Sequence, residues 1–396
     1  MSDWIHPLST PDLGRAEEEA LVACVRSGWL STGPRAAAFE ARFAELHGVR
    51  HAIAVTNGTA ALHLAYAALG IGREPGEEVI QPSINFIAAA NMTVASGATP
   101  VFGDIVSLDE PTLDPAEVEA RIGPRTVAVV AMHYAGYPSR MAELEAICRR
   151  RGLRLIEDAC HAPLQTAPDG RFLGTIGDVG CFSFFSNKNM TCGEGGMVVT
   201  NDDALAARIR SLRSHGMTSL TWERHSRRLG TYDVVDTGFN YRMDDLRAAL
   251  ATVQLERLPE ANARRRALAR TYAEAFAAAP EGARYVFGAA ARDGAGAAHV
   301  AAIVVDPDVR DAVRAGLATA GIQTSLHYPP AHEMTAFAGV ASSGLARSEV
   351  FARSVITLPL YPTMPDAAPA EIAAAVSRVL DEARAAGAPL RTGTDA

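Results

Sequence analysis

Two hydrophobic patterns alternate along the first half of the sequence. Short runs rich in β-branched residues predict strands, and Ala-rich segments with apolar residues on one face predict helices. The predicted strands are His51–Val55, Glu78–Gln81, Thr99–Asp104, Thr126–Met132, Arg154–Glu157, Val179–Phe184 and Gly196–Thr200. The predicted helices are Thr59–Leu69, Ile84–Ser96, Pro115–Ile122 and Arg140–Arg151. Because strands and helices alternate, we predict an α/β fold in which helices flank a mostly parallel, seven-stranded sheet.

The second half of the sequence has a less regular pattern. The predicted elements are a helix at Asp203–Ser214, an irregular segment at Met217–Gly238, a helix at Met243–Leu258, a flexible Gly/Ala-rich loop at Gly288–Ala298 and a strand at Val300–Val305. Pro259 is expected to end or kink the helix before it. A chain of 396 residues exceeds the size that one hydrophobic core normally supports. We therefore predict a large domain at residues 1–258 and a smaller α/β domain at residues 259–396.

Composition excludes several classes of function. The formal net charge is −8, which argues against a nucleic-acid partner, because binding to a phosphate backbone needs a basic surface. The five cysteines are an odd number with no CxxC pair, so neither a disulfide framework nor a zinc site is expected. No segment approaches the roughly 18 apolar residues of a membrane helix. We expect a cytoplasmic protein with no metal site and no membrane contact.

The first predicted strand leads directly into a helix through the turn Thr56-Asn57-Gly58-Thr59-Ala60. This turn offers backbone N–H groups and a hydroxyl at a helix N-terminus, which is a favourable place for a phosphate. Small polar residues are also common as ordinary helix N-caps. The turn alone leaves both interpretations open.

Asp158 and His161 follow the fifth predicted strand, in the segment Leu155-Ile156-Glu157-Asp158-Ala159-Cys160-His161. A carboxylate at this place could simply cap the next element, and the histidine could be an ordinary structural residue. The functional alternative is that Asp158 binds the protonated ring nitrogen of pyridoxal phosphate, which makes the ring an electron sink. His161 would then lie against the face of the ring.

The stretch between the sixth and seventh predicted strands is the most informative. Lys188 lies here in a polar segment, followed by three glycines between positions 193 and 196. Such a lysine can be an exposed loop residue. It also suits a Schiff base, because burial beside a cofactor lowers the pKa of an amine and so favours its reactive form. Ser183 is the better candidate among the nearby hydroxyls for binding the cofactor phosphate.

Together these motifs resemble the nucleotide-sugar aminotransferases of the DegT/StrS type. The family pattern around the lysine is approximately Ser-Phe-x-x-x-Lys-x-Leu/Met-x-x-Gly-Glu-Gly-Gly, and it corresponds here to Ser183–Gly196. The resemblance covers nearly the whole chain, including Pro82–Phe86, Gly238–Met243 and Leu358–Pro362. Several motifs in the right order are far more specific than any one of them. Lys188 itself excludes the branch of sugar dehydratases that has His at this position.

The resemblance implies an enzyme of fold type I, like aspartate aminotransferase, that works as a homodimer with shared active sites. Pyridoxal phosphate would be bound covalently to Lys188 as a Schiff base, with the pyridoxamine form carrying the amino group between substrates. Lys188 would be the general base, and Asp158 would hold the ring nitrogen. The other implied cofactor contacts are Gly58, Thr59, Ala60 and Ser183 at the phosphate, Phe86 and His161 on the ring faces, and Asn240, which would reach the phosphate of the partner subunit.

The implied substrates are an amino donor, glutamate or glutamine, and a nucleotide-diphosphate keto-deoxysugar, with C4 of a TDP-linked sugar favoured. Amination at C3, a keto-inositol acceptor and a non-catalytic regulatory protein are the alternatives. The acceptor diphosphate needs cations, for which Arg224, His225, Arg227 and Arg228 are candidates, although they could equally belong to a solvated loop. Asn85 stands where the family commonly has Thr, which leaves local substrate contacts open.

Overall fold

The larger part of the fold is a seven-stranded sheet in the order β1-β7-β6-β5-β4-β2-β3. The computed structural model describes residues 4–219, 222, 224–225, 231–278 and 282–385. The strands are β1 (His51–Val55), β2 (Glu78–Pro82), β3 (Thr99–Gly103), β4 (Thr126–Met132), β5 (Arg154–Asp158), β6 (Val179–Ser183) and β7 (Gly196–Thr200). Strand β7 is antiparallel to both of its neighbours, whereas the other pairs are parallel. The prediction of a mostly parallel, seven-stranded sheet is confirmed.

Helices cover both faces of this sheet. They are α1 (Arg15–Ser27), α2 (Pro34–Leu46), α3 (Gly58–Leu69), α4 (Ala88–Ala95), α5 (Pro115–Arg121), α6 (Met141–Arg151) and α7 (Asp203–Leu212). Successive residues of a strand point to opposite faces. Ile53 and Val55 of β1 therefore pack in one core with α3, whereas Ala52 and Ala54 pack in another core with α2. Burial on both faces explains why the strands are almost entirely apolar.

One long helix, α8 (Asp245–Ala278), contributes to the cores of both halves of the chain. It continues well beyond Pro259, so the helix does not end where the sequence suggested. Proline in a helix interior costs about 3 kcal/mol. This cost is offset because Leu255 and Leu258 are buried in one core and Leu268 in another. The predicted boundary between residues 258 and 259 falls inside this helix, and the division into two domains stays a prediction.

The C-terminal part contains a second sheet, which is antiparallel, with the order β10-β9-β8. Its strands are β8 (Ala283–Tyr285), β9 (Ala301–Val305) and β10 (Val355–Leu358), and the helices are α9 (Gly288–Arg292), α10 (Arg310–Thr319), α11 (Ala346–Ser354) and α12 (Ala368–Ala385). Helix α9 occupies part of the predicted flexible loop Gly288–Ala298. Three consecutive alanines favour a helix there, and the last of them, Ala291, is buried.

Two predicted helices have different ends in the structure. The helix predicted at Ile84–Ser96 begins at Ala88, because Asn85 turns its side chain back to a backbone N–H and lines a cavity instead. The helix predicted at Asp203–Ser214 ends earlier, at Leu212, because Ser214 forms a β-bridge with Asn240. Among the residues described, no helix has the length and apolar character required to cross a lipid bilayer.

Candidate active site

The carboxyl ends of β1, β5 and β6 lie at one edge of the large sheet, beside a cavity of about 310 Å³. Seven of the nine predicted site residues line this cavity: Gly58, Thr59, Phe86, Asp158, His161, Ser183 and Lys188. Asp158 is the last residue of β5 and Ser183 is the last residue of β6. Residues far apart in the sequence meet here because parallel strands end at the same edge of a sheet.

The start of α3 and the end of β6 form a polar cradle, made of Gly58, Thr59 and Ser183, on one side of the cavity. A Cβ atom at Gly58 would lie 2.9 Å from the Cβ of Ser183, so only glycine allows the helix to approach the serine this closely. A helix N-terminus leaves N–H groups without intrahelical partners, and the helix dipole favours an anion there. The cradle is therefore suited to a phosphate.

Ala60 occupies a different place from the other residues of this turn. Its N–H donates to Oδ1 of Asn57 at 2.8 Å, and Ala60 does not line the cavity. Asn57 is thus the N-cap of α3. The turn has both features that the sequence left open, because Asn57 caps the helix while Gly58 and Thr59 lie at the cavity.

Asp158 is buried, with 4% of its surface exposed, and two donors hold its carboxylate. Asn85 Nδ2 donates to Oδ2 at 3.3 Å, and the N–H of Cys160 donates to Oδ1 at 3.3 Å. Each carboxylate oxygen accepts more than one hydrogen bond, so Asp158 can also bind a donor in the cavity. The contact from Asn85 was missed by sequence reasoning, although its position just after β2 places it at the same sheet edge.

Lys188 lies partly buried in the loop between β6 and β7. Desolvation by the surrounding protein lowers the pKa of its amine, while the nearby Cys160 and Asp158 act in the opposite direction. A lowered pKa is what an amine needs to react as a nucleophile or base near neutral pH. The sequence also singles out this residue in another way, because Lys188 is the only lysine in the chain.

The opposite side of the cavity is formed by residues that sequence reasoning missed. His327 and Tyr328 line the cavity, and Tyr328 Oη lies 2.9 Å from His161 Nε2. Burial holds the pKa of His161 well below its usual value and raises that of Tyr328, so both groups are neutral. His161 and Tyr328 are 167 residues apart. No local pattern could have predicted this contact.

Asn240 is exposed and does not line the cavity of its own chain. An alternative role for its amide is to cap the helix that follows it in the sequence. In the structure the helix begins at Asp245, and the carboxylate of Asp244 accepts a hydrogen bond from the N–H of Arg247 at 2.8 Å. Asn240 is therefore not the cap of α8.

Two of the four candidate cations for the acceptor belong to the described residues, and neither lines the cavity. The guanidinium of Arg224 lies 4.7 Å from the ring centroid of Tyr232. His225 is exposed. Arg227 and Arg228 lie outside the described residues.

Comparison with known proteins agrees with this geometry. The sequence profile of the DegT/DnrJ/EryC1/StrS aminotransferase family matches residues 11–377. The chain belongs to this family. It is similar to SpsC of Bacillus subtilis (strain 168), a spore coat polysaccharide biosynthesis protein, with 39% identity over 371 residues that cover 91% of this chain and 93% of SpsC.

Solved structures of sugar aminotransferases are similar to this fold. DesV of S. venezuelae, solved in complex with a ketimine intermediate, is 36% identical with a TM-score of 0.82, covering 91% of this chain and 93% of DesV. DesI, solved in the presence of its TDP-sugar product, is 32% identical with a TM-score of 0.84, covering 98% of this chain and 96% of DesI. The family aminotransferases depend on pyridoxal phosphate. The protein is a sugar aminotransferase of fold type I, as predicted.

Proposed function

We propose that this aminotransferase transfers an amino group from glutamate or glutamine to C4 of a TDP-linked keto-deoxysugar. One observation carries the proposal, which is that Lys188, Asp158 and the cradle all line a single cavity. The similarity to DesI, whose structure was solved with its TDP-sugar product, supports a nucleotide-sugar acceptor. The similarity to a polysaccharide biosynthesis protein also supports a sugar substrate.

The residues of the cavity fit pyridoxal phosphate. The cradle offers a helix N-terminus and a hydroxyl for the phosphate, and Gly58 leaves open the space that a Cβ would fill. Asp158 offers a buried carboxylate for the ring nitrogen. Lys188 offers an amine whose pKa is lowered by desolvation, for the covalent bond to the cofactor. Phe86 and His161 both line the cavity, and we propose that they hold the two faces of the ring.

Lys188 and Asp158 divide the chemical work between them. When bound, pyridoxal phosphate supplies an electron sink for the carbanion formed from the amino donor. Asp158 keeps a negative charge at the ring nitrogen and so favours its protonated form. The free amine of Lys188 would be the general base that removes the proton from the donor Cα. The same amine returns a proton when the acceptor is aminated.

Product analysis tests which acceptor and which carbon are used. The purified protein with pyridoxal phosphate is incubated with glutamate or glutamine and a panel of acceptors: TDP-hexoses with a keto group at C4 or C3, a nucleotide-linked keto-pentose and a keto-inositol. We expect an amine at C4 of the TDP-sugar, located by NMR of the product. An amine at C3 or on the inositol would contradict the proposed acceptor. Absence of amination in the whole panel, with Lys188→Ala as the blank, would favour a non-catalytic role.

We further propose that each active site is shared between two subunits. Asn240 is exposed and lies outside the cavity of its own chain, as expected if its amide binds the cofactor phosphate in the partner subunit. A two-fold dimer makes such a contact reciprocal. Both sites then gain or lose the contact together.

Subunit complementation tests this arrangement. Lys188→Ala and Asn240→Ala subunits, each nearly inactive alone, are mixed and allowed to exchange. A mixed dimer contains one site with both defects and one site with neither, so activity should recover toward half of the wild-type value per mixed dimer. No recovery after proven exchange would mean that each chain builds its own site.

A further inference from the structure

His299 connects Lys188 to the interior of the protein through a chain of hydrogen bonds. Its Nε2 lies 3.5 Å from Lys188 Nζ, and its Nδ1 lies 3.0 Å from Asn189 Oδ1. Asn189 Nδ2 donates to Oδ1 of Asn262 and to the carbonyl oxygen of Ala297, both at 2.8 Å. Asn189, Asn262 and His299 are buried. The chain thus joins the lysine loop, helix α8 and the segment that enters β9.

A backbone carbonyl fixes the direction of these hydrogen bonds. A carbonyl oxygen can only accept, so the Asn189 atom that faces Ala297 must be the amide nitrogen. Asn189 therefore turns its oxygen to His299, and His299 Nδ1 must carry the hydrogen. Burial, together with the neighbouring positive charges of Lys188 and Arg265, holds the pKa of His299 well below its usual value. The ring is neutral, and its Nε2 is an unprotonated acceptor that faces Lys188.

We propose that His299 is a positioning residue, whose Nε2 accepts a hydrogen bond from the Lys188 amine and holds that amine beside the donor carbon. The inference rests on the proposed function, in which Lys188 is the reacting amine. His299 does not line the cavity and acts only through Lys188. The distance of 3.5 Å is long for a hydrogen bond. Catalytic hydrogen bonds are often long before substrate binds and shorten in the complex.

The proton transfer step explains why such an acceptor matters. Lys188 Nζ would gain the proton of the donor Cα–H bond, and bound pyridoxal phosphate would supply the sink for the electron pair of that bond. The amine thereby becomes an ammonium group, which an acceptor stabilises more than it stabilises the neutral amine. His299 therefore makes Lys188 a stronger base, as the neighbouring carboxylate of Asp158 does. His161, which packs on His299 with ring centroids 4.1 Å apart, is neutral and adds no charge.

The matched variants His299→Gln and His299→Asn separate the acceptor from the packing of the ring. Glutamine can place its amide oxygen near the position of Nε2, where it still accepts from Lys188. Asparagine keeps a donor for Asn189 but is too short to reach the lysine. Each variant keeps a different one of the two contacts of His299, so an effect on Lys188 that appears in His299→Asn and not in His299→Gln reports on the acceptor.

Competitive acetylation measures the effect on the lysine amine directly. The full-length protein without cofactor is treated with trace acetic anhydride across a range of pH, and modification of Lys188 is read by mass spectrometry. Because Lys188 is the only lysine, the N-terminal amine serves as the internal reference. The midpoint for Lys188 should fall by about one pH unit in His299→Asn. It should change much less in His299→Gln.

The donor half-reaction of the holoenzyme provides a second measurement. With glutamate deuterated at Cα, His299→Asn should show a kcat that is roughly 10-fold lower and a larger isotope effect. The KM for glutamate should change little, because His299 does not line the cavity in which the donor is proposed to bind. A purely structural role would weaken both variants without enlarging the isotope effect.

Two results would overturn the inference. One is an unchanged midpoint in His299→Asn, and the other is an equal shift in both variants. If thermal unfolding shows that His299→Asn is not folded, His299→Phe takes its place. Phenylalanine fills the space of the histidine ring without providing a hydrogen-bond acceptor. The acetylation needs no substrate. It therefore distinguishes failure of this inference from failure of the proposed function, which would appear as wild-type protein that aminates no acceptor.

Discussion

The two walls of the cavity are built in different ways. The strand-end wall, formed by Gly58, Asp158 and Ser183, lies where three strands that run in the same direction in one sheet end. The C-terminal wall, formed by His327 and Tyr328, belongs to the later part of the chain and is held by tertiary contacts. The first wall, with Lys188, supplies charge and reactive groups. The second supplies neutral groups that orient their neighbours.

This difference predicts how the two walls respond to substitution. A group that bonds to the cofactor or carries charge at it cannot be replaced by its surroundings, so its loss should abolish the reaction. A neutral hydrogen bond that orients another side chain contributes about 1 kcal/mol, so its loss should only slow the reaction.

Lys188→Ala should have the largest effect, because it would remove both the proposed point of covalent attachment and the proposed general base. We expect turnover to fall by roughly 10⁴-fold or more, while the fold and non-covalent cofactor binding persist. Borohydride reduction followed by peptide mass spectrometry should fix the cofactor to the peptide that carries Lys188 in the wild type. Wild-type protein that takes up no cofactor label would contradict the assignment, because the chain has no other lysine.

Asp158→Asn should have the next largest effect, since it keeps the shape of the side chain and removes its charge. The ring nitrogen would no longer be held protonated, and we expect kcat to fall by roughly 10²- to 10³-fold. The thermal unfolding midpoint should stay close to that of the wild type. Activity within about two-fold of wild type would rule out the charge of Asp158 as the source of the electron sink.

Gly58→Ala tests the steric part of the strand-end wall. The new Cβ would lie 2.9 Å from Ser183 Cβ and 3.2 Å from Cys160 Sγ, which should widen the cradle. We expect the Kd for the cofactor to rise roughly 10-fold, with a smaller effect on kcat at saturating cofactor. Gly339→Ala is the control, because a Cβ there meets no atom of the described part of the chain within 4 Å. Equal cofactor affinities in the two variants would refute the cradle.

Tyr328→Phe tests the C-terminal wall and should have the smallest effect. It removes the hydroxyl that lies 2.9 Å from His161 Nε2, and we expect kcat to fall by about 3- to 10-fold. Because both groups are neutral near pH 7, the ratio to wild type should not vary with pH in that range. Tyr285→Phe is the control, since its buried hydroxyl has no hydrogen-bond partner among the described residues. A decrease in kcat as large as that expected for Asp158→Asn would contradict the proposed difference between the two walls.

The same distinction decides what could be predicted from sequence. Asp158 and Ser183 were predictable because each ends an apolar strand, and the ends of parallel strands meet. The position of Ala60 outside the cavity was not predictable, because it depends on the hydrogen bond that the Ala60 N–H donates to Asn57. Tyr328 was missed because it reaches His161 across 167 residues. The continuation of α8 past Pro259 was missed because buried side chains outweigh the local preference of proline.

A chain with one lysine offers a single point of attack to reagents and proteases that require this residue. A lysine-specific endoprotease has a single possible cleavage site, after Lys188, and that site lies inside the reaction cavity. Cleavage would divide the polypeptide into fragments 1–188 and 189–396, with no smaller products. Once borohydride has reduced the bond and the chain has been unfolded, a cofactor attached to the lysine would block the cut, so the ratio of intact to divided chain would measure how much of the protein carried the cofactor.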